Sequence, residues 1–251
     1  MSAVCSIGTL HPWNIAGIGL DARVCAHLGV RHVAVVAGVS AQGSGAFAFR
    51  AVDPEMIAEQ LNAVREARIG AYRIGALLAP PSVAVVAAAL AQTDIPVVCD
   101  PVIASSHGER LADTATAHAL RTQLFPRSSL VTPNLFEATQ LCGFPVNDRA
   151  TMSGAAHTLV ERDGAAAALV TGGHLDGEPV DVLYAGAFTA TFEGARLAGG
   201  MRGTGCVLAT AIAVELMRKQ PLIAAIERSR ELVRAAIQNA VDWSEERVWP
   251  W

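Results

Sequence analysis

Short runs of β-branched and aliphatic residues recur along the chain, separated by longer stretches in which apolar residues return every three or four positions. The runs Val4–Thr9, His32–Val36, Tyr72–Leu77, Val97–Cys99, Ser129–Val131 and Ala167–Val170 predict strands, and the stretches Ala16–Leu28, Pro54–Ala67, Ser82–Gln92, Thr114–Leu124 and Thr151–Asp163 predict helices. Strands that are apolar throughout and alternate with helices imply a mostly parallel sheet covered on both faces. Pro54 and Pro81 stand where a helix can begin, because the first turn asks no N–H of them. Two segments leave this rhythm. Gly43–Val52, with Phe47, Phe49 and Val52 after a Gly-rich turn, predicts a small β-flap. Pro179–Phe192 holds two alternating runs, Val180–Tyr184 and Phe188–Phe192, and predicts a hairpin. Helices over Gly203–Met217 and Pro221–Trp243 complete the pattern. With no internal repeat and no linker, the expectation is one α/β domain over residues 1–251, built on a doubly wound sheet.

Composition narrows the function. Hydrophobic residues make up 52% of the 251 and charged residues 17%, against about 45–50% and about 25% in ordinary soluble proteins, which excludes intrinsic disorder. The net charge is −4, and the basic residues are spread along the chain rather than clustered, so no nucleic-acid footprint exists. Only one lysine, Lys219, is present; a Walker A loop or a Schiff base at a motif position is thereby ruled out. Five scattered cysteines without a CxxC pair favour neither zinc nor disulfides and fit a reducing cytoplasm. The N-terminus lacks a basic leader, and the longest apolar run, Val83–Ala91, falls short of the roughly 20 residues a membrane span needs. Trp243, Trp249 and Trp251 are expected to be packing anchors.

In doubly wound sheets the chemistry lies in the loops after the strands. Arg202-Gly203-Thr204-Gly205-Cys206 opens an apolar helix, so its backbone N–H groups and the helix dipole suit an anion, and Cys206 in the first turn is expected to have a lowered thiol pKa. A tight turn beside a buried cysteine explains the same residues. In Thr132-Pro133-Asn134-Leu135-Phe136-Glu137, Glu137 could serve Mg²⁺ through water, or could reach back to Asn134 in a capping box. Asp100, before Pro101, is either a turn residue or a second acid beside Glu137. Gly172-Gly173-His174 suits close approach of a nucleotide, with His174 read as a surface histidine. No G-x-S-x-G elbow and no complete dinucleotide fingerprint occurs. Acids for a metal, a glycine nest and a candidate base at strand ends describe phosphoryl transfer from a nucleotide.

The order Ala41-Gln42, Asp100-Pro101-Val102, Thr132-Pro133-Asn134-x-x-Glu137, Gly172-Gly173-His174, Gly203-Thr204-Gly205-Cys206 resembles the hydroxymethylpyrimidine/phosphomethylpyrimidine kinases of thiamine biosynthesis, within the ribokinase-like superfamily. The likeness runs from Ala16-Gly17-Ile18 and Asp21 to about Leu216, and Cys206, where related kinases usually carry Asp, is its most specific mark. The resemblance implies a three-layer α/β/α fold and ATP with Mg²⁺. In it Cys206 is the base and Gly203, Thr204, Gly205 and Cys206 form the anion hole. Gln42 pairs with the aminopyrimidine, and Val102, Ala76 and the segment at Gly8 line the ring pocket. Asn134, Thr171, Gly173 and Arg202 meet ATP, and Asp100 and Glu137 serve the metal. A homodimer is also implied.

The chain departs from the family at one loop and at single positions, among them Ala76 in place of a ring-pocket Met. Gly8-Thr9-Leu10-His11-Pro12-Trp13-Asn14-Ile15 stands where the family usually has Gly-Ser-Asp-Pro-Ser-Gly-Gly. Thr171 replaces a family Lys, and Arg202 replaces a His, so Arg202 is expected to bring the missing positive charge to the phosphates. A pyridoxal-type kinase, a kinase of another heterocyclic alcohol and a pyrimidine- or nucleotide-binding protein without turnover are the alternatives.

Overall fold

Residues 2–43, 46–91, 93–105 and 108–250 are described by a computed structural model. Along the chain lie β1 (Ala3–Leu10), α1 (Gly17–His27), β2 (Arg31–Gly43), β3 (Ala46–Ala51), α2 (Pro54–Val64), β4 (Ile69–Ile74), α3 (Pro80–Ala89), β5 (Val97–Cys99), α4 (Thr114–Ala119), β6 (Leu130–Val131), α5 (Leu135–Cys142), α6 (Arg149–Glu161), β7 (Ala168–Thr171), β8 (Val180–Tyr184), β9 (Thr189–Glu193), α7 (Thr204–Met217), α8 (Leu222–Gln238), β10 (Val241–Trp243) and β11 (Glu246–Val248).

Nine of the strands form one sheet in the order β3-β2-β1-β4-β5-β6-β7-β8-β9. From β2 to β7 all pairings are parallel, while β3 at one edge and β8 and β9 at the other are antiparallel. The period-2 geometry of a strand divides the apolar residues between two cores. Cys5, Ile7, Val97, Cys99, Val131 and Val170 face a layer that contains α2, α3, α5 and α6. Their neighbours Val4, Val98, Leu130 and Leu169 face α7 and α8. Each fully buried aliphatic side chain of this kind contributes about 1.5–3 kcal/mol. These two covered faces make a three-layer α/β/α fold.

Several boundaries differ from the sequence pattern. β2 runs on from His32–Val36 to Gly43 because the flap strand β3 pairs with its extension, Gln42 opposite Phe47. The side chain of Gln42 and the flap turn at 44–45 lie outside the described residues. β4 ends at Ile74 rather than Leu77: Gly75 gives way to the Arg73 guanidinium, which would stand 2.2 Å from a Cβ at that position. The predicted helix Thr114–Leu124 stays α only to Ala119 and widens into a π turn over Leu120–Leu124, since Pro126 has no N–H to carry the ladder on.

The largest correction concerns Pro221–Trp243. Its helix stops at Gln238, where the Asn239 side chain donates to the Ala235 carbonyl at 2.8 Å. Residues 241–248 instead form an antiparallel hairpin. Of the three C-terminal tryptophans, Trp249 is buried, whereas Trp243 is half exposed and tilts over Trp13 with ring centroids 5.8 Å apart; Trp251 lies outside the described residues. Among the described residues no helix is long and apolar enough to cross a membrane.

Candidate active site

The loops after the parallel strands are tied to one another by backbone bonds. Asp100 N–H donates to the Ile74 carbonyl at 2.8 Å, Thr132 N–H to Cys99 at 2.9 Å, and Thr171 N–H to Pro133 at 2.9 Å. They surround a cavity of about 560 Å³. A second cavity, of about 330 Å³, adjoins it and shares Asn134, His174, Met201, Thr204 and Gly205.

The glycine turn stands where the two meet. Gly203 has φ +81°, a left-handed conformation that a side chain would make costly, and no side chain caps α7. The helix therefore turns its first N–H groups toward the junction, an arrangement suited to a phosphoryl anion. Arg202 lies on the wall of the larger cavity and is ion-paired with Glu246 of the C-terminal hairpin. Its charge is partly spent within the protein.

Behind the turn is a buried cluster invisible in the motif reading. Arg73, 1% exposed in the middle of the sheet, places Nη2 2.5 Å from Asp100 Oδ2 and Nη1 3.3 Å from Asp21 Oδ2. Asp21 also accepts from Thr210 Oγ1 at 2.8 Å. Burial works against the Arg73 charge, but Asp21, Cys206 and Asp100 outweigh it and hold the guanidinium protonated. One cation among two carboxylates and a thiol leaves a surplus of acid, so protons are held tightly. Burial raises Asp100 against the pull of Arg73, with Asp21 adding to the rise. Burial pushes the Cys206 thiol up to about 11, opposed by Arg73 and reinforced by Asp100 and Asp21. This reverses the expectation of a lowered thiol pKa: desolvation and two nearby acids exceed the pull of the helix N-terminus.

Glu137 fulfils the capping box. Its Oε2 accepts the Asn134 N–H at 2.9 Å while Asn134 Oδ1 accepts the Glu137 N–H at 2.9 Å. Its Oε1 takes the Ile103 N–H at 3.4 Å, yet the residue still lines the larger cavity. Burial, then the charge of Asp100, pushes its carboxyl up to about 8. Among the described residues no group of three or more potential ligands could hold a metal unaided. Two acids on one cavity wall, Asp100 raising the proton affinity of Glu137, nevertheless fit Mg²⁺, which keeps several waters and takes its remaining ligands from phosphates.

Ten residues singled out from the sequence line the larger cavity: Ala76, Asp100, Val102, Asn134, Glu137, Arg202, Gly203, Thr204, Gly205 and Cys206. Thr171 and Gly173 line the smaller one. Gly8 is buried against the backbone of Gly75, and Thr9 beside it takes the cavity position. The flap aromatics Phe47 and Phe49 pack with Ala76, Val102 and Leu111. Sequence reasoning missed Arg73, His11 and Ser40, all on the larger cavity. The available signal for Arg73 was a lone charge inside the apolar run Tyr72-Arg73-Ile74.

This architecture defines a small-molecule kinase of the ribokinase-like class, and solved structures of that class superimpose on it. A phosphomethylpyrimidine kinase from Clostridium difficile matches with a TM-score of 0.83 at 24% identity, over 94% of this chain and 100% of that one. The ADP complex of Bacillus subtilis pyridoxal kinase matches with a TM-score of 0.90 at 26% identity, over 98% and 95%. The phosphomethylpyrimidine kinase family model matches residues 13–249, and the chain belongs to that family. The hydroxymethylpyrimidine/phosphomethylpyrimidine kinase of Streptomyces coelicolor is 35% identical over 88% of this chain and 83% of its own length. The bifunctional thiamine biosynthesis protein ThiED of Geobacter sulfurreducens is 36% identical over 90% of this chain, which spans 47% of that relative.

Proposed function

We propose that this chain transfers the γ-phosphoryl group of ATP to 4-amino-5-hydroxymethyl-2-methylpyrimidine, its monophosphate or both, in thiamine biosynthesis. The observation that carries the reading is the junction of the two cavities at Gly203–Cys206. The smaller cavity takes the nucleotide against Asn134, Thr171 and Gly173, the larger takes the pyrimidine between Ala76 and Val102, and Gln42 and the segment at Gly8 complete the acceptor side. The N–H groups of the turn stabilise charge on the moving phosphoryl group in the place where it passes. Asp100 and Glu137 would hold Mg²⁺, which supplies neutralisation of the phosphate charge when bound. Arg202 adds a cation at the same wall.

Cys206 collects the proton of the acceptor hydroxyl. The resting chain carries it as the thiol, held at about 11, so the thiolate is the minor form and Arg73 is the group that favours it. Turnover is therefore expected to climb with pH above neutrality. The same reading includes a homodimer in a reducing cytoplasm, supported by five free cysteines and a 52% hydrophobic composition; residues 1–251 act as one domain.

A pyridoxal-type kinase is the second reading, favoured by the 0.90 TM-score to a pyridoxal kinase and by the altered loop before α1. ADP release with Mg-ATP and hydroxymethylpyrimidine, its monophosphate or pyridoxal decides between them, with Cys206→Ala alongside. Turnover on a pyrimidine, cut at least a hundredfold by the substitution as for loss of a general base, supports the first reading. Turnover on pyridoxal alone assigns the second. A folded protein inert toward all three overturns both.

A further inference from the structure

The loop between β7 and β8, residues 172–179, is wrapped around one side chain from outside it. Its ends are fixed by the sheet, where Thr171 N–H donates to the Pro133 carbonyl and Gly172 N–H to Asp181 Oδ1, each at 2.9 Å. Between those ends, three alternate carbonyls meet Arg196 from the segment after β9. Arg196 Nε donates to the Gly177 carbonyl at 2.7 Å, Nη1 to the Gly173 carbonyl at 3.1 Å, and Nη2 to the Leu175 carbonyl. Its own backbone N–H donates to Glu178 Oε2 at 2.6 Å. A guanidinium is a rigid planar fork of five N–H donors, so it can gather three carbonyls in one fixed geometry.

The clamp stands on a firm base. Arg234 of α8 donates Nη1 to the Ala195 carbonyl at 2.7 Å, and Arg230 of α8 donates Nε to Asp181 Oδ2 at 2.7 Å. Gly173, His174 and Arg196 all line the smaller cavity. A Cβ on Gly173 would meet nothing within 4 Å, so the loop offers bare backbone to open space there. Arg196 is exposed; water replaces its bonds to the carbonyls when the side chain is removed, and what is lost is the order of the loop rather than the core.

We infer that Arg196 is a positioning residue for the nucleotide: it holds residues 173–177 in the shape that walls the smaller cavity before ATP arrives. The inference rests on the kinase reading above, which puts the nucleotide in that cavity. A loop ordered at the moment of binding costs affinity, and a loop already ordered does not. The effect comes from the fork's geometry; the charge itself is turned onto three carbonyls.

Two substitutions separate geometry from charge. Arg196→Lys keeps the charge and loses the fork, and Arg196→Ala loses both. Each should bind ADP about tenfold more weakly than wild type by isothermal titration, the scale of ordering a few residues on binding. The KM for ATP should rise by the same factor while the acceptor KM and kcat stay within about twofold, the split expected for lost nucleotide binding alone. A lysine variant that binds ADP like wild type assigns the effect to charge and overturns the inference. So does an alanine variant of unchanged affinity, or an equal rise in both KM values, which would be the mark of a merely structural role.

A readout independent of turnover is cleavage at Asp176 and Glu178 by an acid-specific endoprotease. Wild type should resist, Arg196→Ala should be cut, and saturating ADP should restore its resistance; equal cleavage of the two free proteins overturns the inference. A wild type that binds no ADP overturns the kinase reading and this inference with it, whereas a wild type that binds ADP no better than Arg196→Ala overturns the inference alone.

Discussion

Arg73 and Asp100 form an ion pair, Nη2 to Oδ2 at 2.5 Å, with both side chains shielded from water. A buried pair of this kind is a weak source of net stability, but removing one partner leaves the other charged and desolvated. Here two acids depend on one guanidinium, since Asp21 stands 3.3 Å from Nη1. Arg73→Met should therefore lower the unfolding free energy by about 3–5 kcal/mol near neutral pH. The loss should shrink at pH 5, because burial already raises the Asp100 carboxyl and the variant removes the cation that opposes the rise. Urea unfolding at the two pH values measures both; a loss below about 1 kcal/mol, the size of a surface pair, would contradict the burial argument.

Glu137 gives the metal-free protein a pH dependence of definite sign. Its carboxyl titrates at about 8 in the folded chain and near its ordinary value of about 4.3 when unfolded. Folding then retains a proton that the unfolded chain has released. The contribution is complete below the unfolded value and is lost as pH rises toward 8. Thermal unfolding in chelator should show Tm falling between pH 5 and 8, and Glu137→Gln, which can still close the capping box, should flatten the slope. An unchanged slope in that variant would assign the titration elsewhere.

The two glycines of the anion nest predict opposite kinds of damage. A Cβ on Gly203 would lie 2.4 Å from Leu20 Cδ2 and 2.6 Å from the Ile15 carbonyl, at a φ of +81°. Gly203→Ala should cost about 1–3 kcal/mol of stability. A Cβ on Gly205 meets nothing within 4 Å, and the space it enters is the junction of the cavities. Gly205→Ala should melt like wild type and lose ATP affinity tenfold or more, by isothermal titration. Equal affinity in that variant would place the phosphates away from the turn.

The sheet was legible because its strands are short and apolar on both faces: Val97–Cys99 reads and folds over the same residues. Boundaries failed where a local side-chain interaction overrode a continuing pattern. Ala240, Val241 and Trp243 extend the helical spacing of α8, but the Asn239 amide turns back onto Ala235 and ends it. The site was legible wherever a loop follows a strand, because backbone chemistry there is written in Gly, Asn and Asp. It was illegible where charge is buried. The shift of Cys206 depends on Arg73 of β4, Asp21 of α1 and Asp100 in the loop after β5, which share no spacing along the chain.

The hairpin Val241–Val248 has a consequence for the timing of synthesis. Glu246 holds the side chain of Arg202, the Arg247 carbonyl accepts the Arg202 N–H at 2.9 Å, and Trp243 lies over Trp13. The hairpin lines neither cavity itself, but it follows in synthesis every segment that does. The sheet and both helical layers can assemble on the nascent chain while Arg202 and the loop carrying His11 still lack their outer support. The outer support of Arg202 and the burial of Trp249 beside Leu20, Val24 and Val207 are thus completed together, after the sheet has been made.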